Sequence, residues 1–239
     1  MEGGKNMSEF RKAIIALLIV SALAAVFVSA EPFGVDETYQ VNSTRYNATV
    51  TPSAINAQAG NVTELEINAT AVTTSWQGYY GNVTGTLILA DSAGNNFYDW
   101  NVSTPSGEVY ASRSNAVTWS SIACASNANV SVEETYLGQT TDDPDSVNNT
   151  FSGIAPDFDV GSVSLSGCYG TNAYDDTGAQ TTDFHQALLS DGPNIVYSTL
   201  LNSSVGFNSQ TWDFQLLVGE NGKVGNEAAT PYYFYVELQ

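Results

Sequence analysis

Short stretches in which apolar and polar residues alternate recur through most of this chain and limit what it can fold into. Alternation with a period of two places one set of side chains in a core and the other in solvent, which is typical of a half-buried β-strand. Turn residues interrupt the alternation roughly every ten residues, the spacing of an all-β domain. We therefore expect an antiparallel β-sandwich, immunoglobulin-like or jelly-roll-like, with one or two short helical turns.

Two β-hairpins and a closing strand are the clearest local predictions. The hairpins cover residues 83–102 and 184–201, and the strand covers 232–238. The hairpin turns, at 91–96 and 190–194, are rich in the Asp, Asn, Gly and Pro residues that favour tight turns. These segments should form the framework of the fold.

Weaker patterns add four elements. Residues 64–71 predict a half-buried strand whose inward residues are Leu65, Ile67, Ala69 and Ala71. Residues 115–121 predict a short strand that carries Trp119. Ser131 and Glu134 have the spacing of a capping box and Gly138 offers a helix end, so one or two helical turns are expected there. A second short turn is expected to begin at Pro144.

An uncharged apolar run at residues 13–30 indicates where the protein works. Lys5, Arg11 and Lys12 precede this run, and the chain after it is acidic. Positive charge is retained on the cytoplasmic side of an inserting segment, so the rest of the chain should be exported. We expect an extracellular or cell-surface protein that touches a membrane only through residues 13–30, if that run is not cleaved.

Three fates of this run remain open. Val28-Ser29-Ala30 resembles a signal-peptide cleavage site, which favours simple secretion. The run also just reaches the ~17–25 residues of a membrane anchor. Arg11-Lys12-Ala13 followed by two isoleucines resembles the processing site of archaeal type IV pilin-like precursors, although the glutamate that many pilins carry early in the helix is missing. Secretion ranks first, the anchor second and the pilin-like helix third.

The predicted domain organisation follows from this run. Residues 1–30 are a signal peptide or N-terminal anchor, 31–57 an extended leader, and 58–239 the β-sandwich ectodomain. The leader is polar and rich in Thr and Asn, with Pro32 and Pro52 as breakers.

Charge and cysteine content restrict the partners and the compartment. The formal net charge is -19, and only Arg45, Arg113 and Lys223 are basic after the apolar run. Such a surface repels nucleic acid and anionic lipid, so neither is expected as a main partner.

Cys124 and Cys168 are the only cysteines. Export predicts that they form a disulfide, which would stabilise the fold by roughly 4 kcal/mol.

Nine Asn-x-Ser/Thr sequons are spread over the chain after the apolar run. Their density in an exported protein suggests glycosylation. Equally, Asn and Thr could simply be the solvent-facing residues of the strands. The candidate residues are Asn42, Asn47, Asn61, Asn68, Asn82, Asn101, Asn129, Asn148 and Asn202.

Three segments carry a resemblance to a group of proteins. They are WQGYYGNVTG at 76–85, SGEVYAS at 106–112 and YYFYVEL at 232–238. The chain resembles uncharacterised secreted archaeal surface proteins in these segments. The resemblance implies a location and a class of organism, and it supplies no site residues.

No catalytic motif is present, so we expect no enzyme activity. His185, the only histidine, falls within a predicted strand, and neither G-x-S-x-G nor H-E-x-x-H occurs.

The densest oxygen-ligand cluster is Asp142, Asp143 and Asp145. Calcium accepts such ligands. The spacing is not that of an EF-hand, however, so a structural calcium is the weaker interpretation and no other cofactor is expected.

Aromatic residues divide into core and surface candidates. Trp100 and Trp212 lie inside alternating runs and are expected in the core. Trp76, Tyr79 and Tyr80 lie beside glycines and off the alternation, which favours an exposed platform that could stack on sugars.

Two functional hypotheses follow. The first is a structural or adhesive surface protein whose partners are copies of itself or other envelope proteins. Its leader, residues 31–50, would complete a neighbour's open sheet edge by strand addition. The alternative is a secreted carbohydrate-binding module.

Overall fold

The structure, a computed structural model, describes residues 31–46, 52, 54–221 and 229–239. The signal or anchor segment 1–30, with its processing sites, and the sequon at Asn47 lie outside the described residues. The described residues contain two α-helices, α1 (Asn127–Leu137) and α2 (Val147–Thr150), and a 3-10 helix at Trp119–Ser121. The strands are β1 (Phe33–Gly34), β2 (Trp76–Gly81), β3 (Gly85–Ala90), β4 (Asn96–Val102), β5 (Gly107–Ser112), β6 (Ala123–Cys124), β7 (Gly153–Ile154), β8 (Phe158–Val160), β9 (Val163–Leu165), β10 (Tyr169–Tyr174), β11 (Gln180–Ser190), β12 (Ile195–Leu200), β13 (Ser204–Val205), β14 (Thr211–Trp212), β15 (Phe214–Gly219) and β16 (Tyr233–Leu238).

Most of the long strands form one antiparallel sheet, here called the main sheet. Its strand order is β1-β16-β5-β12-β11-β10-β7, and β6 also pairs with β11. The predicted second hairpin, β11–β12, lies at the centre of this sheet, and the closing strand β16 pairs with all six residues of β5. The predicted all-β antiparallel class is confirmed.

Both faces of the main sheet are buried, which makes the fold a layered sandwich. Along β5, Val109 and Ala111 point to one face and Tyr110 to the other, and all three are at most 4% exposed. The first face packs against the β2–β15 ribbon and the two helices; this first core includes Leu188, Tyr197, Leu216, Val218, Val236 and Leu238. The opposite face forms a second core that includes Tyr110, Ile122, Val160, Leu165, Leu189 and Tyr235.

Two predicted strands are wrong. Residues 64–71 form no strand; Leu65 and Ile67 are exposed, and no described strand lies beside them to supply hydrogen bonds. Residues 115–121 instead form a bend and the 3-10 helix. Trp119 nevertheless packs into the second core, with its ring 5.1 Å from that of Tyr110 and 5.2 Å from that of Tyr235.

The predicted helix begins earlier than expected. Its N-cap is Ser126, whose side chain accepts a hydrogen bond from the backbone of Asn129, while the Asn129 side chain accepts one from the Ser126 backbone. Glu134 of the predicted capping box is buried instead, where it accepts hydrogen bonds from Thr141 and from the Asn148 backbone. The predicted end at Gly138 is confirmed, since this residue has φ 68°.

The first predicted hairpin is confirmed as β3–β4, but its environment differs from the prediction. It forms a two-stranded sheet of its own, outside the main sheet. Trp100, expected in the core, is 51% exposed on this hairpin. Trp212, also expected in the core, is only half-buried, at the end of β14.

Candidate functional site

The leader docks onto the outer edge of the main sheet through a very short strand. Phe33 pairs with Val236 and Gly34 with Tyr235, and the backbone N–H of Val35 donates to the carbonyl of Phe234 at 3.5 Å. β1 has two residues and β16 has six, so within the described residues the leader covers the middle of the β16 edge, from Phe234 to Val236.

Beyond β1 the leader leaves the domain. Val35 still packs against the first core. Every described residue from Asp36 to Tyr46 is exposed, and Val41 is 95% exposed. Apolar and aromatic side chains on this segment therefore contact little of the domain that they precede.

The predicted aromatic platform is divided between the core and the surface. Trp76 is not exposed as expected: its Nε1 donates to the carbonyl of Asp145 at 2.7 Å, and its ring lies 6.0 Å from Phe151 and 6.2 Å from Tyr197. Tyr79 is half-buried against Phe234, and burial raises the pKa of its hydroxyl. Tyr80 alone of the three is exposed, at 44%.

Tyr80 belongs to a surface cluster, here called the aromatic trio, with Phe207 and Trp212. The Tyr80 ring lies 5.0 Å from each of the other two rings, in edge-on contacts. The loop between β13 and β14 supplies Phe207 and also Asn208, whose Oδ1 accepts a hydrogen bond from the Trp212 indole at 2.8 Å. Ser209, in the same loop, has φ 63°, a rare conformation for a residue other than Gly, Asn or Asp.

Two carboxylates of the acidic loop, residues 142–145, accept hydrogen bonds from other residues of the protein. Asp143 accepts hydrogen bonds from the Thr140 N–H and hydroxyl at 2.8 and 2.9 Å, and these bonds lower the pKa of Asp143. Asp145 accepts one from Thr73 at 2.6 Å. In the described part of the chain, Asp142, Asp143 and Asp145 do not converge, and no three acidic, His or Cys side chains form a group that could hold a metal ion.

A buried pair of carboxylates lies at one end of the main sheet. Glu108 of β5 and Glu237 of β16 are direct cross-strand partners, and they are 5% and 0% exposed. The Tyr110 hydroxyl lies 3.5 Å from Glu108 and 3.3 Å from Glu237, and the Gly161 N–H donates a bifurcated hydrogen bond to both carboxylate oxygens of Glu237. Burial, followed by the charge of Glu237, raises the pKa of Glu108 to about 8. Sequence reasoning missed this pair, because cross-strand register was needed to find it.

His185 is positioned by a neighbouring strand. Its Nδ1 lies 2.7 Å from the Asn172 side-chain oxygen, and burial lowers its pKa. Asp183, two residues before His185 on β11, accepts a separate hydrogen bond from the Ser204 hydroxyl of β13 at 2.8 Å. These contacts do not form a nucleophile–base arrangement.

The sequons differ in their accessibility. Asn129 is half-buried: its amide nitrogen donates to the Gly192 carbonyl at 3.1 Å and its oxygen takes part in the α1 cap. A glycan on Asn129 would therefore disrupt the helix start. The other described sequon residues are exposed, namely Asn42, Asn61, Asn68, Asn82, Asn101, Asn148 and Asn202.

The predicted disulfide is confirmed. Cys124 of β6 is bonded to Cys168, which is 2% exposed in the second core. Among the described residues, no helix has both the length and the apolar character to cross a membrane.

Comparison with known proteins returned no relatives. No family model matches the chain, and searches of curated proteins and of solved structures found no significant match.

Proposed function

We propose that the protein is an extracellular structural or adhesive component, related to secreted archaeal surface proteins, whose copies assemble by exchanging the leader strand. The observation that carries this proposal is the short β1 on the long edge of β16. A strand of two residues is a weak attachment, and a β-edge from which it is released readily accepts another strand.

The length of the leader permits the exchange. About forty residues separate β1 from β2, and when extended they reach on the order of 100 Å. This is well beyond the roughly 16 Å radius of gyration expected for a domain of about 200 residues. A leader released from its own sheet can thus reach the same edge on a neighbouring copy, as in domain swapping.

A matched pair of substitutions tests this proposal. Val35→Asp places a carboxylate where the leader packs on the first core, whereas Val41→Asp makes the same change where the side chain is 95% exposed. We expect Val35→Asp to abolish long assemblies in electron micrographs and in sedimentation, and Val41→Asp to leave them intact. Unchanged assembly in Val35→Asp, with an unchanged circular dichroism spectrum, would show that the leader does not join copies.

The aromatic trio supports carbohydrate binding as a second candidate. Three large rings at a surface, held by a loop with an unusual backbone conformation, are a feature of ligand sites more often than of plain loops. We expect glycan-array binding to be lost in Tyr80→Ala and Trp212→Ala and retained in Tyr98→Ala, which removes an exposed ring elsewhere. Equal binding by all three variants would exclude the trio as the site.

A further inference from the structure

The sequon at Asn82 differs from the other eight in the residue that lies two positions before the asparagine. That residue is Tyr80, whereas in every other sequon the corresponding residue is not aromatic. Asn82 and Thr84, the two residues that define the sequon, are both exposed. The sequon is therefore accessible to glycosylation in the folded protein.

Tyr80, Asn82 and Thr84 lie on one outward face of the chain as it leaves β2. Burial alternates along this stretch: the three residues are exposed, whereas Tyr79 and Val83 are partly buried and pack against the first core. Side chains two residues apart on an extended chain point the same way, with their Cα atoms about 7 Å apart. The Asn82 amide and the Tyr80 ring are therefore neighbours on the surface.

Hydrogen bonds to Asp213 fix the backbone on both sides of Asn82. The Asp213 N–H donates to the Gly81 carbonyl, and the Val83 N–H donates to the Asp213 carboxylate, both at 2.9 Å. Asp213 directly follows Trp212 of the aromatic trio in the chain. The possible attachment point and the trio are therefore held in one local framework.

A sugar attached to Asn82 has the reach and the chemistry to cover the aromatic trio. The first pyranose begins at Nδ2, within one side-chain length of the backbone, so its ring comes beside the Tyr80 ring on the same face. The C–H groups of a pyranose carry a small positive charge and pack on the negative face of an aromatic ring. A neutral sugar is also compatible with the net charge of -19. We propose that the protein carries an N-linked glycan at Asn82 whose first, neutral pyranose stacks on the aromatic trio.

Attachment of this glycan is a group transfer from a lipid-linked donor. The Asn82 Nδ2 forms a bond to the anomeric carbon of an oligosaccharide that is carried on a lipid phosphate. The bond from that carbon to the phosphate oxygen breaks, its electron pair stays with the phosphate, and the amide releases one proton. The step requires an exported chain, a requirement that the inference shares with the proposed function.

The inference rests on the second candidate function, since both require the trio to bind sugar, and it identifies that sugar as the protein's own. A ligand on a short link acts at an effective concentration in the mM range, so it would compete with free glycans for the same rings. Free glycans should therefore bind through the trio at least about tenfold more tightly when the Asn82 glycan is missing. The array experiment on the trio is accordingly made with protein that lacks this glycan.

Two substitutions remove the glycan by different routes. Asn82→Gln removes the attachment atom, and Thr84→Ala removes the sequon while Asn82 stays in place. Glycopeptide mass spectrometry of the full chain, purified from its native cells, should find Asn82 occupied. In hydroxyl-radical footprinting, oxidation of Tyr80 and Trp212 should rise at least about twofold in both variants, because stacking covers one of the two faces of a ring.

Matched controls separate loss of the glycan from a general change in the protein. Asn68→Gln removes another exposed sequon, which has Glu66 two positions before it, and should leave oxidation of the trio unchanged. Tyr98 and Trp100 are exposed rings on the β3–β4 hairpin, and they should keep their oxidation rates in every variant.

Two results would overturn the inference. One is an unoccupied Asn82 in the native protein, and the other is equal oxidation of the trio with and without the glycan. Glycan-array binding then separates this failure from that of the candidate function. Array binding that is lost in Tyr80→Ala would keep the trio as a site for free glycans, whereas no array binding at all would remove both.

Discussion

Glu108 and Glu237 face each other across two neighbouring strands in a part of the sheet that excludes water. Like charges directly opposite each other destabilise a sheet, and a buried carboxylate disfavours its charged form. The Tyr110 hydroxyl lies between the two carboxylates and can donate only one hydrogen bond. Retention of a proton on Glu108 relieves this repulsion, which agrees with the rise of its pKa to about 8.

This pair predicts that stability falls as pH rises. In the unfolded chain Glu108 loses its proton near its ordinary pKa of 4.5, whereas the folded protein keeps that proton up to a pKa of about 8. Between these values the folded state binds more protons, so the free energy of unfolding declines by at most about 1.4 kcal/mol per pH unit. Glu108→Gln, which is neutral throughout, should lose this decline in urea titrations across the same window.

Asp99→Asn provides the control for the pH experiment. It also removes one carboxylate, but at an exposed position on the β3–β4 hairpin. Its stability should therefore follow the pH dependence of the unmodified protein. If Glu108→Gln and the unmodified protein show the same pH dependence between 4.5 and 8, the buried pair does not share a proton as described.

At the scale of single elements, the sequence predicted the strands and turns whose formation depends mainly on neighbouring residues. Both hairpins and the closing strand combine alternation with turn residues, and these form as expected. The same alternation at 64–71 gives no strand, because a pattern specifies a face but not the strand that must supply its hydrogen bonds. The helix is capped by Ser126 and not by the predicted Ser131, and the Asn129 side chain completes the capping box in place of a glutamate.

Candidate sites were less predictable than elements because they depend on contacts between distant residues. The sequence indicated Tyr80 from its glycine neighbours, but its partners Phe207 and Trp212 come from another part of the chain. The sequence predicts the same exposure for Trp76, but in the structure Phe151, just after α2, and Tyr197 of β12 lie against its ring. The exposure of Trp100 has the opposite cause: alternation predicts burial only where another layer covers the strand, and β3–β4 forms a sheet of its own.

At the scale of the whole molecule, the disulfide joins β6 to the residue before β10, and both strands pair with β11 in the main sheet. Cys124 pairs with Leu189 at the edge of the β11 ladder, and Cys168 precedes β10 at a sequence separation of 44. The bond closes a loop that contains both helices and the β8–β9 hairpin. Elements that pack on both faces of the main sheet therefore lie within one closed loop.

Removal of this disulfide should weaken the domain without abolishing the proposed contacts between copies. A Cys124→Ala, Cys168→Ala variant is expected to unfold in urea with a free energy lower by up to roughly 4 kcal/mol, since the unfolded chain regains loop entropy. Alanine is preferable to serine because Cys168 is buried and a hydroxyl there would need a hydrogen-bond partner. β1 does not lie in the closed loop, so assemblies of the folded variant should form at the same concentration as in the parent protein. Loss of those assemblies at temperatures where the variant remains folded would mean that the disulfide also positions the edge that the leader occupies.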